Sequence, residues 1–116
     1  MNKYGAKKTV VNGERFDSKK EAERYKELCL MERAGLITGL RRQVRYLLLP
    51  TRYDKNDRAI LHSAVYIADF VYTMNDKTQA LVVEDVKGYR KGPAYNLFML
   101  KKKLMYDKYG ILVKEV

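Results

Sequence analysis

Val82-Val83-Glu84-Asp85-Val86-Lys87-Gly88, with Ile67-Ala68-Asp69-Phe70 upstream of it, decides how the rest of the chain is read. Each stretch sets acidic residues inside an apolar, β-rich run, where a bare carboxylate is costly to bury. The intervening Asn75-Asp76-Lys77-Thr78 reads as a turn, so residues 64–74 and 79–87 form a hairpin centred on Lys77. Pairing Val71 with Val83 then puts Asp69 opposite Asp85 and Ile67 opposite Lys87, all on one face. Glu84 falls on the other face, opposite Phe70.

Like charges directly across a ladder are destabilising. A divalent cation is the simplest compensation, because Mg²⁺ takes a few carboxylate oxygens and fills its shell with water and phosphate. Lys87, on the same face, offers an ammonium group to stabilise charge on a phosphate or to help activate a water. The plainer alternative is that both aspartates sit at solvated strand ends. A bulge in either strand would also break the register.

Working outward, residues 1–8 form a basic arm with Lys3, Lys7 and Lys8. Asn12-Gly13 between Thr9–Val11 and Glu14–Phe16 is a type I′ hairpin signal, since both turn positions tolerate positive φ. Ser18-x-x-Glu21 fits a capping box at the start of a helix over 18–34, with Gly35 suited to end it. A strand follows over 40–49, ended by Pro50, and residues 51–63 read as a polar loop. Pro93 suits the first turn of a second helix that runs to Gly110, and Ile111-Leu112-Val113 reads as a last short strand. Three sequential strands make an antiparallel meander, and the 93–109 helix is the crossover that returns the final strand parallel to a neighbour. The expected architecture is an α/β sheet covered on both sides by helices.

With 116 residues, of which 47% are apolar, one globular domain over 1–116 is expected, with residues 1–16 as an arm and hairpin. The net charge of +10 favours a polyanionic partner, nucleic acid before an anionic membrane surface, unless the protein is simply basic and soluble. Ten tyrosines add side chains able to stack on bases, although most suit core or strand positions. The single cysteine, Cys29, excludes an intramolecular disulfide and a cysteine-built zinc site. The lone His62 reads as a surface or strand-end residue. No leader-like segment opens the chain and no apolar run approaches membrane-spanning length, so no membrane association and a reducing cytoplasm are expected.

These motifs together resemble a known group. Two strand acids, the second in D-x-K, after a helix bearing a glutamate, form the pattern of the PD-(D/E)xK nuclease superfamily. Phe16-Asp17-Ser18-Lys19-Lys20-Glu21-Ala22-Glu23-Arg24-Tyr25, the 40–50 stretch, Tyr66–Phe70, Val82–Gly88 and Lys101–Ile111 resemble a family of small phage and prophage endonuclease-like proteins within it. The likeness runs from about Lys3 to the C-terminus. It implies a restriction-endonuclease-like αβββαβ core with an N-terminal hairpin, and Mg²⁺-dependent hydrolysis of phosphodiester bonds in DNA, with Mn²⁺ able to substitute. It further implies that Asp69 and Asp85 are metal ligands, that Lys87 is the motif lysine, and that Glu21 completes the site. It also implies a setting in the cytoplasm of a bacterial host. Ala68 stands where the motif name has proline, a position that varies in the superfamily.

Several residues keep two readings. Glu21 is the carboxylate of the capping box or, one turn before Tyr25, a ligand pointing in at the sheet. Lys101 lies in the apolar stripe of its helix among Leu97, Phe98, Leu104 and Met105. It either snorkels out of the core or reaches over the sheet to the scissile phosphate as a catalytic cation. Gln43 could hydrogen-bond beside the metal, although its place in an alternating strand suits an exposed glutamine. Arg41, Arg42, Arg45, Arg58, Arg90, Lys91, Lys102 and Lys103 are candidates for phosphate contacts, which give salt-sensitive affinity with little sequence preference. A single small site cuts one strand at a time, so double-strand cleavage calls for a homodimer. A non-catalytic nucleic-acid-binding module that keeps the nuclease fold would also account for the charge and the tyrosines.

Overall fold

A computed structural model describes residues 9–116; the basic arm expected over 1–8 lies outside the described residues. Strands β1 (Thr9–Val11) and β2 (Glu14–Phe16) form the N-terminal hairpin, with Thr9 across from Phe16 and Val11 across from Glu14. Its turn residues Asn12 and Gly13 both have positive φ, 51° and 80°, as a type I′ turn requires. Helix α1 (Lys19–Arg33) starts at Ser18, whose Oγ accepts a 3.1 Å hydrogen bond from the Glu21 amide. Half of the capping box is therefore present; the Glu21 carboxylate is directed elsewhere, as described below.

The main sheet has four strands in the order β3 (Ile37–Leu49), β6 (Ala64–Met74), β7 (Leu81–Asp85) and β8 (Lys114–Glu115). The β3–β6 and β6–β7 pairs are antiparallel, and β7–β8 is parallel. Helix α2 (Pro93–Tyr109) makes the connection that the parallel pair needs. Pro93 opens it and Gly110, at φ 68°, closes it. The result is a mixed α/β sheet with an α1-β3-β6-β7-α2-β8 core, as expected from the motif order.

Two apolar clusters cover the sheet. On one face Ala22 and Leu28 of α1 pack with Val11, Phe16, Ile37, Phe70 and Tyr72. On the other, Phe98 and Met105 of α2 pack with Leu48, Tyr66, Ala68, Val71, Val83 and Val113. Strand β6 lies between β3 and β7 and contributes to both clusters, which explains its long apolar run.

Four expectations need correction. The expected 51–63 loop contains a small second ribbon, β4 (Arg52–Tyr53) with β5 (Ala59–Leu61), closed by the Asp54 carboxylate accepting from the amides of Asn56 and Arg58. The last strand is Lys114–Glu115 rather than Ile111–Val113, because Val113 is spent in the α2-side core and the residues after it carry the pairing. The third strand stops at Asp85, short of Lys87, and β3 begins earlier, at Ile37, which pairs with Met74.

The pleat itself changes hands near the middle of β3 and β6. In a regular strand alternate residues stay on one face. In β3, Leu40 belongs to the α1-side cluster and Arg42 lies over Phe16, whereas Val44, Tyr46 and Leu48 belong to the α2 side. In β6, Tyr66 and Ala68 face α2, whereas Phe70 and Tyr72 face α1. The pairs Arg42↔Phe70 and Val44↔Ala68 remain in the same register, so the switch occurs at Gln43 and Asp69, which lie between them. Gln43 has φ 50°, a left-handed conformation that reverses the local pleat.

Candidate metal centre

The β6–β7 register is the one expected from the turn, with Val71 across from Val83 and Phe70 across from Glu84. Phe70↔Glu84 is its last pair, so the strands part where Asp69 and Asp85 would come next. There the backbone amide of Val86 donates to Asp69 Oδ2 at 2.8 Å, so a side-chain carboxylate takes the place of a strand partner. Beyond the fork β7 turns to the C-terminal segment: Val116 donates to the Asp85 carbonyl and Lys87 to the Val116 carbonyl, each at 3.0 Å.

Asp85 is buried at 6% exposure, and both its oxygens are engaged. Tyr66 donates its hydroxyl to Oδ2 at 2.6 Å, and Lys87 Nζ lies 3.0 Å from Oδ1. The Lys87 ammonium also stands 3.8 Å above the Phe98 ring, a cation–π contact that holds it over the α2 side. Among the described residues Asp69 has no ion-pair partner. Burial, the Asp85 charge and the nearby Glu21 push its carboxyl up to about 7, against the lowering effect of the Val86 amide. The two aspartates are near enough for the charge of Asp85 to act directly on Asp69.

Glu21 comes to the same place from the first turn of α1. Its Oε1 accepts from Gln43 Nε2 at 3.1 Å and lies 3.6 Å from Arg42 Nη2. Burial raises its pKa above the ordinary carboxylate value, with the charges of Asp17 and Asp85 adding to the effect and Arg42 opposing it. Gln43 donates from the same nitrogen to Asp69 Oδ1 at 3.4 Å and so links the helix acid to the strand acid. Gln43 is exposed, as its place in an alternating strand suggests, and its amide also bridges two carboxylates. Tyr66 was not anticipated at all: nothing in its spacing points to the Asp85 carboxylate.

Gln43 and Lys87 stand at two different openings. A cavity of about 520 Å³ on the α1 side is lined by Glu14, Tyr25, Arg41, Arg42 and Gln43. A second, of about 260 Å³, lies between β6 and α2, with Asp85, Lys87 and Lys101 among apolar walls from Ile67, Leu97 and Phe98. Lys101 is therefore brought to the same cleft as the acid and lysine of the D-x-K stretch.

The basic residues divide. Arg41, Arg45, Arg58, Lys91 and Lys103 are exposed. Arg42 is turned inward, bonded to Glu14 and the Arg15 carbonyl, with its guanidinium 3.8 Å above the Phe16 ring. Arg90 and Lys102 converge on Glu115, which also accepts from the Tyr95 hydroxyl. These three cations are paired with protein carboxylates, Arg90 while its side chain stays half exposed.

A family described as protein of unknown function (DUF1064) matches residues 1–115. The chain belongs to this family. Searches of curated proteins and of solved structures give no match. In this DUF1064 chain the architecture is restriction-endonuclease-like in its αβββαβ order. Among the described residues no group of three or more His, Cys, Asp or Glu side chains is arranged to hold a metal ion, and no helix is long and apolar enough to cross a membrane.

The donors present nevertheless fit a hard divalent cation bound partly by the protein. Asp69 and Asp85 offer carboxylate oxygens where burial and neighbouring acids disfavour the charge on Asp69, a cost that a cation would relieve. Mg²⁺ characteristically uses one or two carboxylates and keeps the rest of its shell for water and phosphate. Glu21 is tied to Gln43 and Arg42, and Gln43 joins it to Asp69.

Proposed function

We propose that this protein is a metal-dependent endodeoxyribonuclease that hydrolyses phosphodiester bonds, acting as a member of the PD-(D/E)xK superfamily in phage or prophage DNA processing. The observation that carries the reading is the convergence of Asp69 and Asp85 at the β6–β7 fork with Lys87 3.0 Å from Asp85. Mg²⁺ held by the two aspartates would polarise the phosphate and lower the pKa of a bound water. Lys87, positioned by Asp85 and Phe98, carries the positive charge that stabilises the extra negative charge of the pentavalent transition state. Lys101, which lines the same cleft, would meet a non-bridging phosphate oxygen. In the reaction water adds to phosphorus, one ester oxygen leaves, and that oxygen takes up a proton. Exposed Arg41, Arg45, Arg58, Lys91 and Lys103 supply backbone contacts without base recognition.

Incubation with supercoiled plasmid, branched DNA and single strands, with and without Mg²⁺ or Mn²⁺, tests the proposal. Cutting is expected only with metal. Asp85→Ala should lower it at least about a thousandfold while leaving DNA binding in place. Metal-dependent cutting that survives in Asp85→Ala would sink the assignment. Tight, salt-sensitive DNA binding with no divalent-ion binding by calorimetry would favour a non-catalytic module instead.

A further inference from the structure

Four described non-glycine residues have positive φ, and three of them, Asn12, Asp57 and Gln79, lie between secondary-structure elements. Gln43 alone lies inside a strand. Glutamine adopts this conformation less readily than glycine, asparagine or aspartate, and Gln79, the other glutamine that does so, lies outside the strands. Such a residue persists where its surroundings over-determine it, and strain of this kind gathers at functional sites. Here the strain coincides with the pleat switch and delivers one amide to two carboxylates, Glu21 at 3.1 Å and Asp69 at 3.4 Å. A carboxamide can donate to both acids without changing the charge of the cluster. A lysine there would neutralise the negative charge a cation needs, and a glutamate would add repulsion.

We propose that Gln43 is a positioning residue of the metal centre, whose amide fixes Asp69 against Glu21 so that a divalent cation meets a donor set already in place. The inference rests on the metal-centre reading above. Its observable consequence is metal affinity, because partners that orient ligands typically contribute about 10–100-fold to binding.

The experiment is Mg²⁺ titration calorimetry on wild type, Gln43→Gly and Gln43→Met, beside thermal unfolding of each metal-free protein. Glycine removes both the amide and the strain, whereas methionine keeps the size and loses the donor. Mg²⁺ should bind about 10–100-fold more weakly to both variants. The metal-free Tm of Gln43→Gly should stay within a few degrees of wild type, because glycine is at ease at this φ. A residue with only a structural role gives the reverse, a lower Tm with Mg²⁺ affinity unchanged, and that result overturns the proposal. If Gln43→Gly does not fold, Gln43→Met decides alone: weaker binding supports the role and equal binding overturns it. Absence of Mg²⁺ binding by wild type would remove the metal-centre reading and this inference with it, whereas equal binding by all three proteins removes only the role of Gln43.

Discussion

Glu84 and Asp85 are adjacent in the chain, both buried, and turned to opposite faces of the sheet. Glu84 meets a full set of partners on the α1 side. Arg24 donates from Nε and Nη2 at 2.9 and 2.6 Å, and the Tyr72 hydroxyl donates a further bond. Burial would raise its pKa, yet the bonds from Arg24 and Tyr72 hold it below the ordinary glutamate value. Asp85 meets Lys87 and Tyr66, but the groups beside it include Asp69 and Glu21, both raised. Burial of a carboxylate therefore does not mark a site. A buried acid whose charge is matched inside the chain belongs to the architecture, and a cluster left with negative charge in excess is one that something from outside can complete.

The largest expected effect separating the two acids is the loss of metal-dependent cutting in Asp85→Ala, with no counterpart on the other side of the sheet. Arg24→Ala should destabilise the fold by about 3–5 kcal/mol, because it strands Glu84 without its cation. Urea unfolding should give the same loss with and without Mg²⁺; a loss that Mg²⁺ repairs would mean the two faces are not independent.

Asp69 should behave in the opposite sense. Its folded-state pKa of about 7 lies above the ordinary 3.8, so between those values the native protein holds a proton that the unfolded chain has released. Metal-free stability from this group falls as the pH rises from about 4 to about 7 and is then level. Asp69→Asn should therefore stabilise the metal-free protein by about 4 kcal/mol at pH 8 and leave it unchanged below about pH 4. Denaturant melts across that range check the slope, and an Asp69→Asn variant less stable than wild type at pH 8 would contradict the picture of unmatched charge. The smallest effects belong to the exposed cations. Arg41→Ala and Arg45→Ala should each lower the salt-dependence slope of DNA binding by about 1 and leave the melting temperature unchanged.

Much of the fold was legible because local chemistry and tertiary structure agree. Asn12-Gly13, Ser18, Pro93 and Gly110 each act where their backbone preferences place them, and the turn around Lys77 sets the β6–β7 register. Phe70↔Glu84 follows from that register, and with it the assignment of Glu84 and Asp85 to different faces. What escaped the reading depends on long-range contact. Ile111–Val113 looks like a strand because it is apolar, but Val113 is needed under α2, and the pairing passes to the polar residues that follow. Tyr53, Ile60 and Leu61 form their ribbon while remaining exposed, so no buried face announces it. The left-handed Gln43 has no propensity behind it, and only its partners on α1 and β6 account for it.

The fork between β6 and β7 has one more consequence. The Val86 amide, which a continuous ladder would have given to a backbone carbonyl, is held by the Asp69 carboxylate at 2.8 Å. Its proton therefore senses the charge on that carboxylate directly, through one hydrogen bond. In ¹⁵N-labelled protein this single resonance becomes a built-in gauge. Its chemical shift and exchange rate follow whether Asp69 carries a proton, a bare charge or a cation, without any probe being attached.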